Sequence, residues 1–341
     1  MSPVRTLVVD DSAAMRSLLS RILSADPAIE VVGTAPEPHA AREMIKELDP
    51  DVVTLDIEMP GMDGLSFLER IMRLRPTPVV MCSTLTARGA EATIEALRLG
   101  AVDCIAKPAG NPLDIAHDGA RLCTAVKAAA RAQVRANAAT PARVAPPTLA
   151  GRCRDVVIAI GASTGGVEAL FQVISKLPLD CPPVLVVQHM PAGFTASFAA
   201  RLDRECPIRV VEATHGMPIK SGTVYLAPGG ATHMQLAGGL HGRIRLRTGE
   251  LHGGHRPSVD VLFASVAELG AAAIGVILTG MGADGAQGLL AMRQAGARTL
   301  GQSRESCVVY GMPRAAFELG AVQNEHSVTV MAEAILGACR L

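Results

Sequence analysis

Two successive series of short, unbroken apolar runs, separated by a stretch without an acidic residue, constrain the fold of this chain more than any other feature. In the first series Thr6-Leu7-Val8-Val9, Glu30-Val31-Val32-Gly33, Val52-Val53-Thr54-Leu55, Pro78-Val79-Val80-Met81-Cys82 and Cys104-Ile105-Ala106 alternate with segments of helical period. Continuous apolar runs belong to strands covered on both faces, so five of them separated by helices predict a five-stranded parallel sheet in an α/β layer structure. The second series comprises Val156-Val157-Ile158-Ala159-Ile160, Val184-Leu185-Val186-Val187, Thr223-Val224-Tyr225-Leu226 and Ile274-Gly275-Val276-Ile277-Leu278. It predicts a second α/β sheet, doubly wound and mostly parallel. From Gly238 to Gly254 a polar, Gly-rich stretch carries the alternation Ile244-Arg245-Leu246-Arg247, the mark of a hairpin on the edge of that second sheet.

A chain of 341 residues has room for two such cores. The boundary is set by the segment between Gly119 and Arg154, which holds seven basic residues and no acidic one, is Ala-rich to about Ala136, and then carries Pro141 and Pro146-Pro147. It predicts a helix leading into a semi-extended basic linker. The expected domains are residues 1–120, a linker over 121–152, and residues 153–341. A net charge of +0 argues against binding nucleic acid by phosphate neutralisation, and 2% aromatics with no Trp leaves little for base stacking. The eight cysteines are scattered with no CxxC, as expected of reduced thiols rather than a disulfide frame or zinc site. No leader-like segment and no apolar run of membrane-spanning length is present, so a cytoplasmic protein without membrane insertion is expected.

Ligands of parallel sheets collect outside the carboxyl ends of the strands. In the first series that edge holds Asp10, Asp11, Asp56, Ser83 and Lys107. Adjacent carboxylates at Asp10 and Asp11 call for a counter-cation, and oxygen ligands select a hard ion such as Mg²⁺. Asp56 is then the phosphoryl-accepting nucleophile, Lys107 pairs with the phosphoryl group, and the hydroxyl of Ser83 or Thr84 reports its arrival. This constellation is similar to response-regulator receiver domains of flavodoxin-like fold, over about a third of the chain. The resemblance implies phosphorylation of Asp56 by a histidine kinase and metal binding by Asp11, Asp56 and the carbonyl of Glu58. It also implies an aromatic residue three positions before the lysine, where this chain has Cys104.

In the second series, Gly161-Ala162-Ser163-Thr164-Gly165 fits a tight strand-to-helix turn that presents a serine hydroxyl at a helix N-terminus, where backbone amides favour developing negative charge. A serine needs a base, and the next apolar strand delivers His189 to the same edge. A third group must fix that imidazole, and Asp284 follows another strand. The order Ser, His, Asp differs from the Ser, Asp or Glu, His order of α/β-hydrolases. A Gly-rich turn can also hold phosphate, but GxxxxGK[ST] is absent. His215, His233, His241, His252 and His255 read as surface or loop histidines, and His252-Gly253-Gly254-His255 offers no preset metal geometry.

With Gln188-His189-Met190-Pro191, Arg256-Pro257-Ser258-Val259-Asp260 and Thr279-Gly280-Met281-Gly282-Ala283-Asp284-Gly285 added, the chain resembles the CheB family of chemotaxis protein-glutamate methylesterases and glutamine deamidases along nearly its whole length. The resemblance implies a triad of Ser163, His189 and Asp284, with Thr164 and the Met281 amide at the oxyanion. It implies hydrolysis of glutamate γ-methyl esters on methyl-accepting chemoreceptors and deamidation of selected glutamines, with no cofactor for the hydrolysis. It further implies a receiver that covers the cleft until Asp56 is phosphorylated. The competing readings are an adaptor that has lost turnover, a receiver fused to a transcription factor, and an esterase acting outside chemotaxis.

Overall fold

The structure, a computed structural model, describes residues 2–59, 63–83, 87–108, 110–132 and 155–340. The chain divides into two compact units, Met1–Thr140 and Pro141–Leu341. Thr84 and residues 133–154, most of the expected linker, lie outside the described residues.

In the first unit β1 (Val4–Val9), α1 (Ala13–Ser24), β2 (Ile29–Ala35), α2 (Pro38–Leu48), β3 (Val52–Asp56), α3 (Gly64–Leu74), β4 (Val79–Ser83), α4 (Ala87–Arg98), β5 (Asp103–Ala106) and α5 (Pro112–Ala129) alternate strictly. The five strands form one parallel sheet in the order β2-β1-β3-β4-β5, as the apolar runs predict. Ser12 and Asp63 start α1 and α3 by accepting the amides of Met15 and Ser66. Leu7, Val9, Val53, Leu55, Phe67 and Leu68 fill the layer between sheet and helices. The expected boundary after residue 120 falls inside α5. Leu122, Ala125, Val126 and Ala129 recur at helical spacing and are buried, and α5 packs on α1, β4 and β5. The Ala-rich helix assigned to the linker is therefore largely a layer of the first unit.

The second unit contains β6 (Val157–Ala162), α6 (Gly166–Ile174), β7 (Val184–Gln188), α7 (Phe194–Glu205), β8 (Arg209–Glu212), β9 (Thr223–Leu226), β10 (Thr232–Ala237), β11 (Arg243–Thr248), α8 (Val259–Ala267), β12 (Ala273–Ile277), α9 (Ala286–Gln294), β13 (Arg298–Gln302), α10 (Met312–Glu318), β14 (Asn324–His326) and α11 (Val328–Cys339). Seven strands make a parallel sheet in the order β14-β13-β12-β6-β7-β9-β8. The chain winds outward from β6 in one direction and then in the other, which leaves a topological switch point between β6 and β12. The expected hairpin is present as β10 and β11, but it starts earlier, at Thr232, and forms a two-stranded sheet of its own. Its apolar face, with Met234, Leu236 and Ile244, joins the core at α8, which is why it does not extend the main sheet. With so few aromatics the core is mainly aliphatic, Phe198 and Phe263 being its largest fully buried side chains.

Candidate active site

Register places the acidic residues of the first unit. Val9 pairs with Leu55, so Asp10 and Asp56 emerge side by side at the ends of β1 and β3. Ser83 pairs with Ala106, and Lys107 follows directly, its amide on the Ser83 carbonyl at 2.9 Å. The Lys107 ammonium reaches back to Asp10 Oδ2 at 2.8 Å and Asp56 Oδ2 at 2.7 Å. Asp10 and Asp56 are buried while Asp11 is exposed, and ligand atoms of all three lie within 4.8 Å of one another. Burial first, and then the neighbouring Asp10, push the Asp56 carboxyl above its ordinary range against the pull of Lys107. Burial works against the charge of Lys107, but hydrogen bonds to Asp10 and Asp56 raise it overall. Apart from the Lys107 ammonium, Asp10 Oδ2 and Asp56 Oδ2 have no partner among the described residues. This all-oxygen set with unfilled coordinating capacity suits a hard divalent cation. Glu58 lies against the cluster through its amide, which donates to Asp56 Oδ1 at 3.2 Å. Ser83 is buried beside it. Cys104 is buried on β5, its thiol 3.3 Å from Thr93 Oγ1 on α4 and pushed by burial up to about 12.

Register also assembles the second edge. Ala162 pairs with Gln188, so Ser163 and His189 leave β6 and β7 together, and the His189 amide donates to the Ala162 carbonyl at 3.1 Å. From the other side the Ser163 amide donates to the Thr279 carbonyl just beyond β12, at 3.0 Å. The turn after Ser163 closes through Gly165 at φ 75°, a conformation that glycine adopts freely, and α6 begins at once. Thr164 is the next residue along, and Met281 stands two residues past Thr279.

Asp284 is buried and fully occupied. Its Oδ2 meets His189 Nε2 at 2.8 Å and the Val259 amide at 2.7 Å, while Oδ1 accepts from Ser258 Oγ at 2.8 Å and from the Asp260 amide at 3.1 Å. The carboxylate therefore sits on the N-terminus of α8, where free amides and the helix dipole favour an anion. Burial opposes that charge, but His189 and the amides of Val259 and Asp260 outweigh it and hold the carboxyl well below the usual range. The structure thus joins His189 to Asp284. It brings Ser163 alongside without a hydrogen bond to the base, since His189 Nδ1 is buried and has no partner among the described residues. Resting sites of this kind often close that contact only with substrate.

Ser258, the amides of α8 and two histidines were not expected at this site. His233, expected at the surface or in a loop, is buried in β10, where its Nε2 contacts the Glu250 carbonyl at 2.9 Å and its Nδ1 the Ser258 amide at 3.2 Å. A strand position covered by the following loop overrides the polar character of the side chain. His215, His241 and His252 are exposed as expected. His255 lies in a loop, yet its ring stacks on His189. The available signal was Ser258 directly before the apolar run of α8, a helix-capping pattern.

A phosphoacceptor-like edge on one parallel sheet and a serine edge on another place the chain among response regulators with an effector unit. Residues 6–116 match the family model of the response regulator receiver domain. The chain belongs, more particularly, to the CheB methylesterase family, whose model matches residues 158–335; it is an ester hydrolase joined to a receiver domain. It is 58% identical to protein-glutamate methylesterase/protein-glutamine glutaminase 1 of Caulobacter vibrioides over 98% of both chains. The protein of the same description from Rhizobium johnstonii is 56% identical over 98% of this chain and 96% of its own. Among solved structures, the Thermotoga maritima CheB methylesterase catalytic domain superposes with a TM-score of 0.52 at 36% identity, covering 53% of this chain and 97% of that one.

Proposed function

We propose that this chain hydrolyses γ-methyl esters of glutamates on methyl-accepting chemoreceptors, and deamidates selected receptor glutamines, through Ser163, His189 and Asp284. The observation that carries this reading is the His189–Asp284 contact at 2.8 Å, with the second imidazole nitrogen buried and without a partner among the described residues, on a histidine that leaves β7 next to the end of β6 where Ser163 stands. With Nε2 donating to Asp284, the lone pair of Nδ1 is the one available to take the Ser163 proton. Ser163 Oγ attacks the carbonyl carbon, and the amides near Thr164 and Met281 hold the oxyanion. The imidazolium that forms is compensated by the Asp284 charge. Collapse of the tetrahedral intermediate breaks the bond to methoxide, which leaves as methanol with the His189 proton. Water, deprotonated by His189, then releases the carboxylate. Deamidation follows the same course with ammonia as the leaving group.

In the receiver, Asp56 accepts a phosphoryl group from a chemotaxis histidine kinase, with Asp10, Asp11, Asp56 and the Glu58 carbonyl holding Mg²⁺. When bound, that ion offsets the negative charge of carboxylates and phosphoryl oxygens. Lys107 pairs with the phosphoryl group, and Ser83 with Thr84 senses it. Phosphorylation adds a charge of about −1.5 to −2 at the sheet edge and favours the active state of the hydrolase to the extent that it is bound differently in the two states. Cys104, lacking a ring to swing, transmits this without an aromatic rotamer change. Among the described residues no helix is long and apolar enough to cross a membrane, in keeping with action from the cytoplasm.

Methanol release from methylated receptor, with and without acetyl phosphate, tests both parts. Wild type should be stimulated by the phosphodonor. Asp56→Asn should keep its basal rate and lose the stimulation; stimulation that persisted in this variant would contradict control through Asp56.

A further inference from the structure

The geometry points to His255 as a positioning residue for the catalytic base, its ring lying flat on His189 and fixing the plane of that imidazole. The inference rests on the serine-hydrolase reading above and deepens it. The two imidazoles stack with ring centroids 3.8 Å apart and an interplanar angle of 6°. His189 needs such a support. Its contact with Asp284 pins one ring atom, Nε2, and Nδ1 has no hydrogen bond among the described residues, so these polar contacts define a pivot but no plane. A parallel ring at van der Waals distance defines the plane, because rotation of His189 about the pivot would drive its edge into the neighbour.

The sequence builds this support deliberately. His252 and His255 exchange backbone hydrogen bonds at 3.1 and 3.0 Å across Gly253 and Gly254, whose φ values are 59° and 85°. Two central residues with positive φ make a tight two-residue reversal that favours glycine at both places. The spacing that gave no metal geometry is thus a turn that delivers a ring. Beyond it, Arg256 ties the segment down by donating to the Gly230 carbonyl at 2.8 Å and the Gly249 carbonyl at 2.5 Å. Ser258, Val259 and Asp260 then supply three of the four donors to Asp284. One short segment, 255–260, therefore sets both the face of the base and the seat of its carboxylate.

The test uses the full chain with acetyl phosphate, a receptor carrying methylated glutamates, and methanol release. His255→Ala is expected to lower kcat about 10- to 100-fold through misplacement of the base, with KM changed less than about twofold. His255→Phe, which keeps a flat ring and no titrating nitrogen, should return kcat to within about threefold of wild type. Added imidazole should recover part of the His255→Ala loss and none of the activity of Ser163→Ala. Wild-type kcat in His255→Ala, a loss confined to KM, or a Phe variant as impaired as the Ala variant would each overturn the proposal. Should His255→Ala fail to fold, the Phe variant decides alone. Full activity in Ser163→Ala would remove the parent reading as well, whereas an inactive Ser163→Ala beside a normal His255→Ala removes only this inference.

Discussion

Asparagine at position 284 is expected to lower kcat about 10⁴-fold with little change in KM. The four donors converging on Asp284 leave no place for an amide. With its NH₂ in the position of Oδ2, the asparagine opposes the Val259 amide and makes His189 present an acceptor at Nε2, which puts the proton on Nδ1 and disables it as a base. With its NH₂ in the position of Oδ1, it opposes the Asp260 amide while Ser258 turns its hydroxyl. Either way one buried N–H loses its acceptor, at a cost of about 1–3 kcal/mol in stability, and the imidazolium formed in turnover loses its counter-charge. Methanol-release kinetics together with thermal unfolding check both parts. A variant that folds less stably but turns over at the wild-type rate would separate Asp284 from the chemistry.

The largest effect is expected for Ser163→Ala, on the order of a 10⁶-fold loss in kcat. The backbone contacts that place this residue survive the change: its amide on the Thr279 carbonyl, and its carbonyl accepting from the Gly166 amide at 2.7 Å and from Gln188 Nε2 at 2.9 Å. The Ser163 hydroxyl makes no hydrogen bond to the base that its removal would break. Folding should therefore be nearly unaffected, and unfolding midpoints should coincide with wild type while methanol release falls to the background rate.

How far the sequence showed these features follows from where the signals lie. Unbroken apolar runs mark β1, β3, β4, β6, β7, β9 and β12 because both faces of each strand are covered. The strands Arg209–Glu212, Arg298–Gln302 and Asn324–His326 went unread. The first and last form the two edges of the larger sheet, the last is three residues of polar character, and Arg298–Gln302 is itself polar or small apart from Leu300. Positions at or just after strand ends were legible as candidates, since in a parallel sheet they share one edge; Asp10, Asp56, Lys107, Ser163 and His189 all followed from that rule. What surrounds Asp284 did not. Ser258, Val259 and Asp260 lie 24 to 26 residues away along the chain, and no local pattern says that the start of α8 meets that loop. The stacking of His255 on His189 depends likewise on a turn whose glycines read in sequence only as flexibility.

Convergence of Ser163, His189 and Asp284 on one reaction is tested most directly by labelling the full chain with a fluorophosphonate, which phosphonylates activated serines with loss of fluoride, followed by peptide mass mapping. The expected result is one adduct, on the peptide that carries Ser163, whose rate of formation falls at least about 10³-fold in His189→Ala and Asp284→Asn. An adduct elsewhere, or labelling of Ser163 at an undiminished rate in those variants, would contradict a proton relay among the three.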